Sequence, residues 1–84
     1  MVKVYGFSGC PYCKELKEIL TNEGIQFIDV DIELPENEQE FNKIMEVSQS
    51  DEVPIVQVGK QLLVPNKSFR SVKEAAELTK KFLV

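Results

Sequence analysis

The sequence predicts an α/β fold with its elements in the order βαβαββα. Three observations carry this. An apolar run, Val2 to Phe7, is followed closely by a run of helical period that opens at Pro11. Two short apolar runs, Ile55 to Val58 and Gln61 to Val64, flank Gly59-Lys60. Two more stretches, from about Glu36 to Val47 and from about Ser71 onward, repeat their apolar residues at helical spacing.

Each element has its own local signal. Val2 to Phe7 is largely apolar on both faces, as a central, covered strand is. The first helix is predicted from about Pro11 to Glu23. Proline suits the first helical position, and Cys13, Leu16, Ile19 and Leu20 share one face. Asn22-Glu23-Gly24 supplies its stop. Ile25 to Ile32 contains the alternation Ile28, Asp29, Val30, Asp31, Ile32 of a partly exposed strand. Pro35 then breaks the chain. The second helix, from about Glu36 to Val47, buries Phe41, Ile44 and Met45. Its acidic first turn, Glu36, Glu38 and Glu40, complements the helix dipole and reads as a solvated helix start. Gly59-Lys60 fits a two-residue hairpin loop with glycine first. The last helix starts near Ser71, where Ser71 and Glu74 make a capping box. Its inner stripe is Val72, Ala75, Ala76, Thr79, Phe82 and Leu83. A helix joins the first two strands, so they run parallel; with the antiparallel hairpin, the sheet is mixed. No repeat, linker or low-complexity segment interrupts the chain, and residues 1–84 read as a single domain.

Composition narrows the chemistry. A chain of 84 residues with 43% hydrophobic content supports one modest core. A net charge of −4 argues against non-specific nucleic-acid binding. Histidine is absent, so Ser-His and Cys-His catalysis cannot be built. No N-terminal apolar segment and no long apolar span indicates secretion or membrane insertion. The two cysteines are too few for a secreted disulfide scaffold.

Those two cysteines form the motif Cys10-Pro11-Tyr12-Cys13 between the first strand and the first helix. A thiol at a helix start faces unpaired backbone N–H groups and the positive end of the helix dipole. Both favour the thiolate, which is the nucleophile of disulfide exchange. The helical register turns Cys13 toward the core and Cys10 toward solvent. The pair therefore reads as a redox pair; the alternatives are buried small apolar residues or metal ligands. Structural zinc needs four N or S ligands, so two thiolates without histidine could complete a site only between two chains. No metal ligand is assigned.

On these features the chain resembles the glutaredoxins, within the thioredoxin superfamily. The element order, the Cys-Pro-Tyr-Cys motif and Val53-Pro54 ahead of the third strand carry the resemblance, which covers nearly all of the chain. It implies a thioredoxin fold, with a four-stranded mixed sheet flanked by helices and a cis-proline at Pro54. Such a bond would leave the Val53 N–H and C=O free to pair with a bound peptide as an added strand. Two departures stand out. Ser8-Gly9 precedes the first cysteine, where the family commonly has lysine. After the fourth strand, Lys67-Ser68-Phe69-Arg70-Ser71 replaces a stretch with two glycines and two acids. Ser68-Phe69-Arg70 is similar to the stretch in glutaredoxin-like redoxins that serve ribonucleotide reductase and are recharged by thioredoxin reductase.

The resemblance implies a dithiol-disulfide oxidoreductase acting through Cys10 and Cys13. Cys10 is the nucleophile and Cys13 resolves the mixed disulfide. Pro11 stiffens the backbone between them, Tyr12 flanks the substrate, and Lys14 and Lys17 add positive potential. Val53, Pro54, Lys67, Arg70 and Ser71 are the further candidate substrate contacts. Lys67 and Arg70 also read as solvated charges, and Ser71 as a helix cap. Expected partners are protein disulfides and glutathionylated proteins, with glutathione as co-substrate and no bound cofactor. The reductant is glutathione or thioredoxin reductase. A cytoplasmic monomer that binds neither nucleic acid nor membrane is expected. The alternatives are an electron donor recharged by thioredoxin reductase, for example to ribonucleotide reductase, and an Fe–S cluster-binding or adaptor module.

Overall fold

The computed structural model describes residues 1–83. These form four strands and three α-helices: β1 (Val2–Gly6), α1 (Pro11–Asn22), β2 (Ile28–Asp31), α2 (Glu38–Ser48), β3 (Ile55–Val58), β4 (Gln61–Leu63) and α3 (Val72–Leu83). The sheet order is β2-β1-β3-β4. β1 runs parallel to β2 and antiparallel to β3, and β3 pairs antiparallel with β4. The mixed four-stranded sheet and the element order agree with the sequence reading.

Period-2 alternation in the central strand sorts the core into two layers. Val2 and Val4 point to the face where Leu16 and Leu20 of α1 and Val72, Ala75 and Ala76 of α3 pack, together with Val56 and Val58. Tyr5 and Ile55 point to the other face, under Phe41 and Ile44 of α2. Each fully buried Leu or Val side chain contributes about 1.5–3 kcal/mol relative to exposure. Helices on both faces explain why β1 is apolar apart from Lys3, which is half-buried beside Glu40.

Several boundaries differ from those predicted, each for a local reason. α1 ends in a Schellman motif: Gly24, at φ 73°, donates to Thr21 O at 3.1 Å, and the Ile25 N–H donates to Leu20 O at 2.9 Å. That bond commits Ile25 to the helix cap, so β2 starts at Ile28 rather than Ile25. Pro35–Asn37 forms a 3₁₀ turn ahead of α2, which delays the α-helix to Glu38. Gln49 closes α2 in the left-handed conformation at φ 54°. The hairpin turn has positive φ at Gly59 and not at Lys60, the pattern of a type II′ turn. Phe82 and Leu83, predicted to be inward, are 41% and 45% exposed, because the last turn of α3 extends past the residues packed on the sheet.

Two interior contacts tie the central strand to its flanking helices. Gly6, at the end of β1, lies against Cys13. A Cβ there would sit 2.6 Å from Cys13 Sγ, so the glycine is required for space. On the α2 face, the buried Tyr5 hydroxyl donates to Glu40 Oε2 at 2.7 Å, and Lys3 Nζ donates to the same oxygen at 3.0 Å. Burial, then the Glu40 hydrogen bond and charge, raises the Tyr5 phenol above its ordinary range. The Tyr5 hydrogen bond, then that from Lys3, holds the Glu40 carboxyl below its own.

Two outcomes are expected. Gly6→Ala forces overpacking against Cys13 and lowers unfolding stability by about 1–3 kcal/mol; an unchanged denaturation midpoint would refute the packing role. Tyr5→Phe removes about 1 kcal/mol at neutral pH. The folded phenol keeps a proton that the unfolded chain releases above about pH 10, so this stabilisation is lost as pH rises past that value. The Glu40 contribution is present above the ordinary carboxylate range and lost as pH falls through its lowered folded value. Tyr5→Phe should therefore flatten both limbs of the stability–pH curve measured by denaturant titration, and parallel curves would refute the pairing.

Candidate active site at the start of helix α1

The site begins with the tight turn after β1. The Cys10 N–H donates to Phe7 O at 3.1 Å, which brings the chain round into α1. Cys10 is the N-cap residue, with extended backbone at φ −93° and ψ 111°. Its sulfur takes the place usually held by a Ser, Thr or Asp oxygen: the Cys13 N–H donates to Cys10 Sγ at 3.2 Å. Pro11 occupies the first turn, where its missing N–H leaves no bond unmade. The arrangement sets a backbone N–H donor and the positive end of the helix against the Cys10 sulfur.

The same cap corrects one expectation. Cys10 is 6% exposed rather than open to solvent, because capping turns Sγ back over the first turn of α1. Tyr12 is the exposed member of the motif, at 63%. Cys13 is fully buried against Gly6, as its helical register requires. Burial, and then the hydrogen bond to Cys10, pushes the Cys13 thiol up to about 12; the Phe7 N–H and the Lys17 charge oppose this in part. Lys17 is itself held by Asp29 of β2 at 3.0 Å. Both cysteines are free thiols.

Beside the motif lies a groove of about 560 Å³. Tyr12, Val53 and Pro54 line it together with Phe69, Arg70 and Ser71. The Val53–Pro54 peptide is cis and Pro54 is buried. Among the described residues, no intrachain hydrogen bond engages the Val53 N–H or C=O. Phe69 is 5% exposed and forms apolar floor; Arg70 is exposed and, among the described residues, joins no ion pair. A larger depression of about 980 Å³, near Met1, Thr21, Gly24 and Phe27, contains no cysteine and no ionisable side chain.

The remaining candidates sit as follows. Ser71 Oγ accepts the Glu74 N–H at 3.1 Å and so caps α3, while Glu74 Oε1 accepts the Arg70 N–H at 2.7 Å. The capping box is present, shifted by one residue on its return bond. Pro11 is exposed at the helix start and does not line the groove. Lys67 does not line it either: its ammonium donates to Ser48 O at 2.8 Å and Gln49 O at 3.0 Å, the carbonyls ending α2. Sequence reasoning missed Gly6, whose signal was a glycine inside an apolar strand. It also missed Asp51, Glu52 and Asn66, which line the groove; their signal was adjacency to Pro54 and to the Lys67–Ser71 stretch.

Known proteins share this architecture. Residues 2–63 match the glutaredoxin family model. An uncharacterised glutaredoxin-like 8.6 kDa protein in the rubredoxin operon of Clostridium pasteurianum is 31% identical over 64 residues, 76% of this chain and 83% of that protein. The crystal structure of glutaredoxin grx-1 from Archaeoglobus fulgidus aligns with a TM-score of 0.70 at 31% identity, covering 92% of this chain and 83% of that one. The glutaredoxin-like NrdH-redoxin of Escherichia coli aligns with a TM-score of 0.66 over 95% of this chain and 91% of its own, and at 14% identity shares the fold alone. The family match spans both cysteines and Pro54, and the sheet with its flanking helices is a thioredoxin fold; this chain belongs to the glutaredoxin family.

Proposed function

We propose that this protein is a thiol–disulfide oxidoreductase that reduces protein disulfides or glutathione mixed disulfides through Cys10 and Cys13. The observation that carries this reading is the asymmetry of the pair. Cys10 sulfur accepts a backbone N–H at a helix start, while Cys13 lies fully buried behind it with its thiol raised. One sulfur caps the helix start as the attacking group and the other is held in reserve behind it.

The chemistry runs in two exchanges. Cys10 thiolate attacks one sulfur of a substrate disulfide, forms a mixed disulfide and expels the other sulfur as a thiolate, which takes up a proton. Cys13 then loses its proton and attacks Cys10 Sγ. The second substrate sulfur leaves as a thiol, and a Cys10–Cys13 disulfide remains. The substrate has gained two electrons, which an external thiol reductant must return to the protein. The groove beside Tyr12 and Pro54 suits an extended peptide carrying the target cysteine. The unpaired Val53 backbone groups offer it strand-like hydrogen bonds.

A second reading concerns the reductant and is favoured by Arg70. A cation lines the groove at the start of α3, and Glu74 already occupies the Arg70 N–H. An ammonium such as that of glutathione meets repulsion at Arg70, whereas a carboxylate does not; Asp51 and Glu52, on the other loop lining the groove, carry the opposite charge. We therefore favour weakened glutathione use and recharging by thioredoxin reductase, with electron donation to an enzyme such as ribonucleotide reductase as the consequence. The Escherichia coli NrdH-redoxin, described as having a thioredoxin-like activity profile, offers a precedent within the same fold.

Iodoacetamide near neutral pH should label Cys10 before Cys13, because the Cys13 thiol, raised to about 12, stays protonated. Cys10→Ser should abolish disulfide reduction, and Cys13→Ser should accumulate mixed disulfides visible by intact mass; preferential labelling of Cys13 would reverse the assignment. For the reductant, oxidised protein is offered glutathione, or thioredoxin reductase with NADPH. Slow reduction by glutathione, quickened about fivefold by Arg70→Asp, is expected, corresponding to ~1 kcal/mol for an exposed like-charge contact. Fast glutathione turnover that Arg70→Asp slows would show the second reading to be wrong.

A further inference from the structure

The groove has walls from two loops that no strand ladder joins. One is the segment 49–54 between α2 and β3; the other is the segment 64–71 between β4 and α3. The β3–β4 ladder ends at the Val56–Leu63 pair, so beyond it backbone pairing does not set the spacing of the two segments. Two side chains cross that gap. Lys67 Nζ donates to Ser48 O at 2.8 Å and to Gln49 O at 3.0 Å. These carbonyls end α2, where orphan acceptors and the negative end of the helix dipole favour a cation. Asn66 Nδ2 donates to Glu52 Oε2 at 2.8 Å, a charge-assisted bond.

The loop that carries both donors is wound tightly. Asn66 is left-handed at φ 63°, its N–H bonds Phe69 O at 2.8 Å, and the Lys67 and Ser68 N–H groups both bond Val64 O. Its far end is fixed by Ser71 capping α3. The opposing segment has only local bonds of its own, such as the Glu52 N–H to Ser50 Oγ at 3.1 Å. The rigid loop therefore holds the softer one at two points, its start at residues 48–49 and its middle at Glu52.

We infer that Lys67 and Asn66 are positioning residues: two polar straps that fix the width of the groove and thereby its selectivity for peptide over small disulfides. The inference rests on the proposed oxidoreductase reading only for its consequence in catalysis. The straps themselves are a property of the fold and can be measured without turnover.

The experiment has two arms on the full-length protein. Hydrogen exchange of the reduced protein compares wild type with Lys67→Met, Asn66→Ala and the double variant. Exchange at amides of residues 50–53 should speed roughly three- to tenfold, the scale of one lost charge-assisted bond at a solvated site, while β1 and α1 are unaffected. Lys67→Arg should restore most of the protection. Unchanged exchange in the double variant overturns the proposal whatever the activity. The second arm compares kcat/KM for a cysteine peptide disulfide with that for hydroxyethyl disulfide. The ratio should fall in the double variant, through KM for the peptide. A constant ratio, with exchange accelerated, overturns the role in selectivity. If Lys67→Met does not fold, Asn66→Ala and Glu52→Ala carry both arms with the same expected directions. A wild type that reduces neither disulfide refutes the oxidoreductase reading and leaves the exchange arm to decide the straps.

Discussion

The first turn of α1 is capped by a sulfur atom, and the arrangement of the site depends on that hydrogen bond. A helix start has more N–H groups than partners. Here one of them, on Cys13, is satisfied by Cys10 Sγ at 3.2 Å. The bond fixes the relation of the two cysteines: the residue that donates its amide is also the one whose side chain lies beneath. An oxygen cap at position 10 would satisfy the helix equally well and would carry no thiol.

That contact works because the strand ahead of it gives way. β1 is the central strand and is packed on both faces. Valines fill its α1–α3 face until the last position, where Gly6 leaves room for Cys13. The space is closed to solvent, so desolvation first, and then the hydrogen bond and charge of Cys10, keep the second thiol neutral. Lys17, tied to Asp29, is the main cation acting against this. On the opposite face Tyr5, Glu40 and Lys3 bring α2 onto the sheet through a polar cluster, in which the buried hydroxyl has a charged partner.

The groove draws its lining from the cysteine motif, through Tyr12, and from two loops distant in sequence. The family match ends at Leu63. The loop after it carries Asn66, Lys67, Phe69, Arg70 and Ser71, and supplies one wall. The cysteines, Tyr12, Asp51, Glu52 and Pro54 lie within the matched portion, while Asn66, Phe69, Arg70 and Ser71 of the opposite wall lie outside it.

The order of elements, the central position of β1 and the pairing of Cys10 with a helix start were legible in the sequence, because each rests on signals within a few residues. These are strand alternation, helical period, proline at a first turn and glycine after a last one. The burial of Cys13 followed from its register with Leu16 and Leu20. The exposure of Cys10 did not, since spacing alone gives the direction of a helix face and not the rotation of a capping side chain. Lys67 read as a ligand or a solvated charge because its partners, Ser48 and Gln49, lie 19 and 18 residues away. The Asn66–Glu52 bond spans 14 residues and was equally invisible. Local pattern thus determined the elements and the placement of the cysteine pair. Only the tertiary structure decided which polar side chains face the groove and which hold its walls, because those contacts join loops with no shared period and no common strand.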